Sequence, residues 1–161
     1  MTLYSTVSTP IGELMLCGDD TSLTALHLPG HWAKPGAGWR RDDARFAGVA
    51  RQLEEYFAGE RTTFDVAMRM QGGPFEREVW AELLQIPYGE TASYGEIARR
   101  VGKPHASRAV GAANGRNPIA IIVPCHRVIG SDGTLTGYGG GLERKRALLD
   151  LEAGRATLAV A

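Results

Sequence analysis

The sequence predicts an α+β fold in two parts: a small N-terminal β-sheet carrying one helix, then a mainly helical C-terminal lobe with a helix-turn-helix. Three observations predict it. Short β-prone runs crowd the first 28 residues. Two short helical segments, the first with a capping signature at its start, flank the break KPHA. A glycine-dense stretch then precedes a last amphipathic run. The composition shift at QGGPF divides the chain into a supporting lobe, 1–70, and a second lobe, 71–161, that carries the chemistry.

In the first lobe, LYSTVST and ELMLCG read as strands joined by TPIG, and SLTALHL as a third strand. PGHWAKPGAGW is loop. Asp42 or Asp43 is positioned to cap a helix whose apolar residues Phe46, Val49, Ala50, Leu53 and Phe57 follow helical spacing. Nothing in residues 1–65 reads as catalytic. Cys17 lies in an apolar strand and reads as a small core residue. His27 and His31 share no ligand spacing with it, so no metal site is expected.

The second lobe opens with Pro74 in the first turn of a helix that places Phe75, Val79, Trp80, Leu83 and Leu84 on one side. In SYGEIARRVG, Ser93 and Glu96 have capping-box spacing and Gly102 can close the helix. After KPHA, the segment SRAVGAANG supplies the second helix. Its Ala109, Gly111, Ala112 and Ala113 are small enough for close approach of something large, and Arg108 sits near its start. IAIIV reads as a strand covered on both sides. GSDGTLTGYGGG, with six glycines in twelve residues, is a loop that lacks the Lys and Ser/Thr of a phosphate-binding P-loop. LERKRALLDLE closes the lobe as an amphipathic helix.

The chain of 161 residues has a formal net charge of zero, but its charges are segregated. Between Arg99 and Arg146 nine basic residues face two acidic ones, a net of +7 that leaves −7 on the remainder. A local positive field of this kind is expected to attract phosphates even on a neutral protein. No apolar run approaches the roughly 18 residues of a membrane span, and the polar start is not a signal peptide. A cytoplasmic location with reduced cysteines is expected.

The stretch IIVPCHRVIG holds the chemistry. Pro124 lacks an N–H and ends strand pairing, so Cys125, His126 and Arg127 are expected to emerge at the mouth of a cleft. A thiol becomes a nucleophile as its thiolate, which a nearby base or positive charge favours. Adjacency alone does not establish a pair, because neighbours on an extended strand point to opposite faces.

PCHRVIG, taken with IPYGETASYGEIA, SRAVGAANGRNP and GYGGGLERKRALL, resembles the O6-alkylguanine-DNA alkyltransferases over residues 75–152. The resemblance implies a ribonuclease H-like first lobe and direct-reversal DNA repair. The helix-turn-helix would dock in the minor groove, flip out O6-alkylguanine (also O4-alkylthymine), and the alkyl group would pass irreversibly to Cys125. His126 would take the thiol proton through a water, Glu152 would orient the imidazole, and Asn117 would hold the backbone. Tyr94 would help swing the nucleotide out and assist the departing guanine. Arg108 would fill the vacated stack, with Ala109, Gly111 and Ala112 along the DNA. Tyr138, Pro124 and the backbone of Val128 and Gly139 would form the pocket. Some relatives have a serine at the position of Gly139, which puts substrate range in question. Relatives with zinc in the first lobe use paired Cys and His ligands that this sequence lacks. No metal or cofactor is implied; the partner is lesion-bearing duplex DNA, the protein a monomer in solution, and clustering on DNA an open question.

Three rival readings fit the sequence less well. A module that recognises alkylated bases without repairing them would lack the acceptor cysteine. A cysteine hydrolase would gain nothing from the helix-turn-helix, and a transcription regulator would leave PCHRVIG unexplained.

Overall fold

The structure, a computed structural model, describes residues 1–32 and 34–155. Residues 156–161, assigned to the second lobe from sequence, lie outside the described residues. The first lobe is a four-stranded sheet in the order β3-β2-β1-β4. β1 (Leu3–Thr9) and β2 (Gly12–Gly18) form an antiparallel hairpin, and β3 (Leu23–His27) adds antiparallel to β2. The two-residue β4 (Arg40–Arg41), not foreseen from sequence, runs parallel to β1. Alternation in β1 buries Leu3, Ser5 and Val7 on one face.

Helix α1 (Ala47–Phe57) covers that sheet with Val49, Leu53 and Tyr56. Its start corrects the expectation that an aspartate caps it. Asp42 accepts the Arg45 N–H at 3.0 Å and caps the preceding turn, while Asp43 accepts from Ser5 Oγ at 2.7 Å. The helix itself begins after buried Phe46, with no side-chain cap. The extra turn lets Phe46 enter the core before the helix starts.

The second lobe packs α2 (Pro74–Leu83), α3 (Tyr94–Arg100) and α4 (Ser107–Gly115) together. Pro74 takes the first position of α2, Glu76 Oε1 accepts the Gly73 N–H at 3.0 Å, and buried Trp80 donates Nε1–H to the Ala113 carbonyl at 2.8 Å. Leu84, placed on the apolar side from sequence, is exposed just past the helix. The capping box forms: Glu96 N–H donates to Ser93 Oγ at 3.1 Å, and Ser93 N–H to Glu96 Oε1 at 3.4 Å. Gly102 follows α3 at φ +77°, where a side chain would be strained.

The IAIIV strand is overturned. Only Ile119 makes a β-bridge, to Leu26 of the first lobe. The chain then folds into a γ-turn, Ile122 N–H to Ala120 O at 2.8 Å, with Ile121 at φ +71°. A second, inverse γ-turn follows at Pro124 (φ −81°, ψ 65°), with Cys125 N–H donating to Val123 O at 2.8 Å. The apolar run is continuous because all of residues 119–123 are buried between the lobes. Both turns lead into a 3₁₀ turn, Cys125–Arg127, and then β6 (Val128–Ile129), which pairs in parallel with β5 (Ala92–Ser93). Helix α5 (Leu142–Glu152) ends the described fold. One continuous apolar core spans both lobes, from Leu3 to Leu148.

Candidate active site

The site grows from the 3₁₀ turn. Tight winding, rather than an extended strand, places Cys125, His126 and Arg127 in succession, and all three are buried instead of emerging at a cleft mouth. Asn117 builds the approach to it: Oδ1 accepts the Ile119 N–H at 3.0 Å and Nδ2 donates to the Val123 carbonyl at 2.7 Å. One side chain thus ties the two ends of the strained turn at Ile121. Asn114 adds a 3.3 Å bond from Nδ2 to the Cys125 carbonyl.

His126 is fully buried, and its Nε2 lies 2.7 Å from Glu152 Oε2 at the end of α5. A carboxylate can only accept, so Nε2 carries the proton and Nδ1 keeps a lone pair. Nδ1 is buried with no hydrogen-bond partner among the described residues. Burial holds the imidazole below its ordinary pKa, so it rests neutral. Burial alone would push the Glu152 carboxyl up, but the hydrogen bonds from His126 and Arg127 and the positive charge of Arg127 outweigh it and hold the group down to about 2.

Burial likewise raises the Cys125 thiol above its ordinary value, opposed by the Asn117 amide and the charge of Lys145. The resting group is therefore a thiol. A base must take its proton before sulfur can attack, and the Nδ1 lone pair of the adjacent His126 is a base of the required kind.

Sequence reasoning places Arg127 beside the thiol but not on Glu152, and it misses Tyr56 and Lys145. Arg127 clamps Glu152 with Nε to Oε1 at 2.7 Å and Nη2 to Oε2 at 3.0 Å, and its Nη1 donates to the Ile86 carbonyl at 2.7 Å. Tyr56, from the first lobe, donates to Glu152 Oε2 at 2.5 Å. Lys145 is buried and donates to the Val128 carbonyl at 2.6 Å and the Thr136 carbonyl at 2.8 Å, tying the glycine-rich loop to β6. An aromatic and a lysine on amphipathic helices carry no local signal of such roles.

The residues assigned to DNA lie apart from this buried cluster. Arg108, Ala109 and Ala112 are exposed on one face of α4. Gly111 is half-buried, and a Cβ there would lie 3.8 Å from the Tyr94 ring, which rests across the helix. The Tyr94 hydroxyl accepts from Thr136 Oγ1 at 3.0 Å and so stands between α4 and the glycine-rich loop. Of the nine basic residues of the +7 segment, Arg127 and Lys145 are internal and Arg144 is half-buried on the Ile11 carbonyl at 2.7 Å, so the exposed positive charges are Arg99, Arg100, Lys103, Arg108, Arg116 and Arg146.

The residues assigned to the pocket are near one another in the fold but unequal in availability. Tyr138 is half-buried with its hydroxyl inside and without a hydrogen-bond partner among the described residues, Gly139 is exposed with open space where a Cβ would stand, and Pro124 is buried. The Val128 N–H already donates to the Cys125 carbonyl, so only its carbonyl could read a base. A cavity of about 200 Å³ where the lobes meet is lined by Phe64, Met68, Tyr88, Ile122, Pro124 and Arg127 among others. Of the expected pocket residues only Pro124 reaches it, so it is not the predicted substrate pocket.

Comparison with known proteins matches both lobes. Residues 2–70 fit the 6-O-methylguanine DNA methyltransferase ribonuclease-like domain, and residues 74–154 fit the DNA-binding domain of the same family. The chain belongs to the 6-O-methylguanine DNA methyltransferase family. A methylated-DNA–protein-cysteine methyltransferase of Mycobacterium tuberculosis is 56% identical over 154 residues, 95% of this chain and 93% of that protein. Its namesake in Methanosarcina acetivorans is 51% identical over 152 residues, 92% and 97% of the two chains. Among solved structures of the family, Mycobacterium tuberculosis OGT in complex with DNA has a TM-score of 0.91 at 55% identity, covering 96% of this chain and 95% of that one. Among the described residues, no helix is long and apolar enough to cross a membrane.

Proposed function

We propose that this protein repairs O6-alkylguanine in duplex DNA by moving the alkyl group onto Cys125, once per molecule. The observation that carries the reading is the buried 3₁₀ turn, where Cys125 adjoins a neutral His126 whose Nε2 is fixed on Glu152 and whose Nδ1 is unpaired. Membership of the family and the likeness to a DNA-bound relative support the DNA substrate.

The thiol proton passes through a water to His126 Nδ1. The sulfur then attacks the saturated alkyl carbon in line, the S–C bond forms as the C–O6 bond breaks, and the electron pair leaves with the guanine. Tyr94, whose hydroxyl already accepts from Thr136, keeps its own proton to donate to that leaving group. The thioether has no carbonyl for water to attack, so the protein is consumed. Recessed Cys125 requires the base to be extruded, with Arg108 filling the gap and Ala109, Gly111 and Ala112 allowing α4 to approach the DNA closely. Tyr138, Pro124 and the backbone at Val128 and Gly139 would bound the extruded base. O4-alkylthymine would be a second substrate. Residues 1–70 support, and residues 71–161 carry DNA binding and acceptance; the protein would act as a cytoplasmic monomer, with clustering on DNA open to test.

The test is intact mass and peptide mapping after incubation with a duplex bearing one O6-methylguanine. One methyl group on Cys125, never more than one per molecule, is expected. Cys125→Ser should lose transfer while still binding the duplex in a gel-shift or anisotropy titration. Transfer by that variant would move the acceptor elsewhere, and lesion binding without modification of the unaltered protein would make it a recognition module.

A further inference from the structure

Glu152 Oε2 receives three donors: His126 Nε2–H at 2.7 Å, Arg127 Nη2–H at 3.0 Å and the Tyr56 hydroxyl at 2.5 Å. The first two are neighbours in sequence, but Tyr56 comes from α1, 96 residues before Glu152. It is 1% exposed, and its ring packs against Phe57, Phe64 and Tyr88 at centroid distances of 5.1, 5.5 and 6.2 Å. This packing restricts the phenol, so its hydroxyl is aimed rather than free to swing.

We propose that Tyr56, supplied by the first lobe, is a positioning residue for the acceptor site: its O–H holds the Glu152 oxygen that receives the His126 N–H. The inference rests on the alkyl-transfer reading and His126 as its base. Bidentate Arg127 fixes the plane of the carboxylate, but Arg127 and His126 share one short turn and would drift together. Tyr56 anchors the same oxygen from a separate element. It also draws negative charge from Oε2, which limits how strongly Glu152 stabilises the protonated imidazole. Burial and the Glu152 charge keep the phenol itself un-ionised, so it remains a donor. The titratable or charged groups around this unit are Cys125, Arg127, Tyr138, Arg144 and Lys145 from the second lobe, Tyr88 beside Arg127, and Tyr56. Among them, Tyr56 is the donor to Glu152 that comes from the first lobe.

Tyr56→Phe removes the donor and keeps the ring. Glu152 then directs more of its charge to His126, imidazolium is favoured, and the acid limb of the single-turnover rate against pH should move up by roughly 0.5 pH unit or more. A rate lowered equally at every pH, with the limb in place, is what a structural role would give and would overturn the proposal, as would an unchanged profile. His126→Gln, run alongside, separates the two levels of inference: a wild-type rate and limb in that variant would remove the base and this proposal together. A slow His126→Gln beside a silent Tyr56→Phe would remove Tyr56 alone. If Tyr56→Phe does not fold, proton NMR of the unaltered protein decides. A slowly exchanging Tyr56 hydroxyl proton close to the His126 Nε2 proton is expected, and rapid exchange of that proton with solvent overturns the role.

Discussion

Ile121 shows how much the acceptor segment depends on single side chains. A β-branched residue at φ +71° is strained by about 1–3 kcal/mol, yet the side chain is 1% exposed in the core. Ile121→Gly would release that strain but remove a buried side chain whose loss costs about 2–5 kcal/mol, with Gly freedom in the unfolded chain adding to the loss. Burial wins, so the variant should be less stable by urea denaturation despite its easier backbone. An equal or higher midpoint would mean that strain dominates. Asn117 is the opposing device, since its amide closes the strained turn from both ends. Family resemblance points to Asn117 as a residue that holds backbone. The strain that makes the task necessary was hidden, because an apolar run reads alike as a covered strand or as buried turns.

At the scale of elements, what could be read depended on local signals. The Ser93 and Glu96 spacing, Pro74 and Gly102 mark helix ends through nearby backbone chemistry, and α2 and α3 lie where those residues place them. The start of α1 departs from the local signal because its boundary is set by Phe46 entering a distant core, not by the nearest aspartate. Helix α4 illustrates a division within one element: Val110, Ala113 and Asn114 are buried, while Arg108, Ala109 and Ala112 face outward. That division separates the face that folds from the face proposed to meet DNA, and it makes a specific expectation possible. Arg108→Ala should slow alkyl transfer from duplex DNA more than transfer from the free alkylated base, measured by single-turnover kinetics on both substrates. Equal slowing would place Arg108 in the chemistry rather than in extrusion.

Across the whole molecule, the first lobe is bound into the chemistry of the second. Leu26 N–H donates to the Pro118 carbonyl at 2.9 Å just before the strained turn, Arg144 reaches the Ile11 carbonyl, and Tyr56 reaches Glu152. No local pattern in residues 1–65 announces this, because each contact is made across the interface. The shared network also ties folding to pH. Glu152 sits at about 2 against an ordinary 4.5, so its contribution is complete above about 4.5 and is lost as pH falls toward 2. His126 is held below its ordinary 6.5, so below about 6.5 the unfolded chain takes up a proton that the folded chain refuses, and stability falls there too. Half-buried His27 shifts the same way, through burial and the nearby His31. The urea midpoint should therefore decline from about pH 7.5 to 5.5, and decline again below about 4.5. In His27→Gln the first decline should shrink but persist, leaving the share that belongs to His126. A midpoint that stays level down to about pH 5.5 in His27→Gln would mean that His126 is not buried in its neutral form, and the base assigned to the thiol would have to be sought elsewhere.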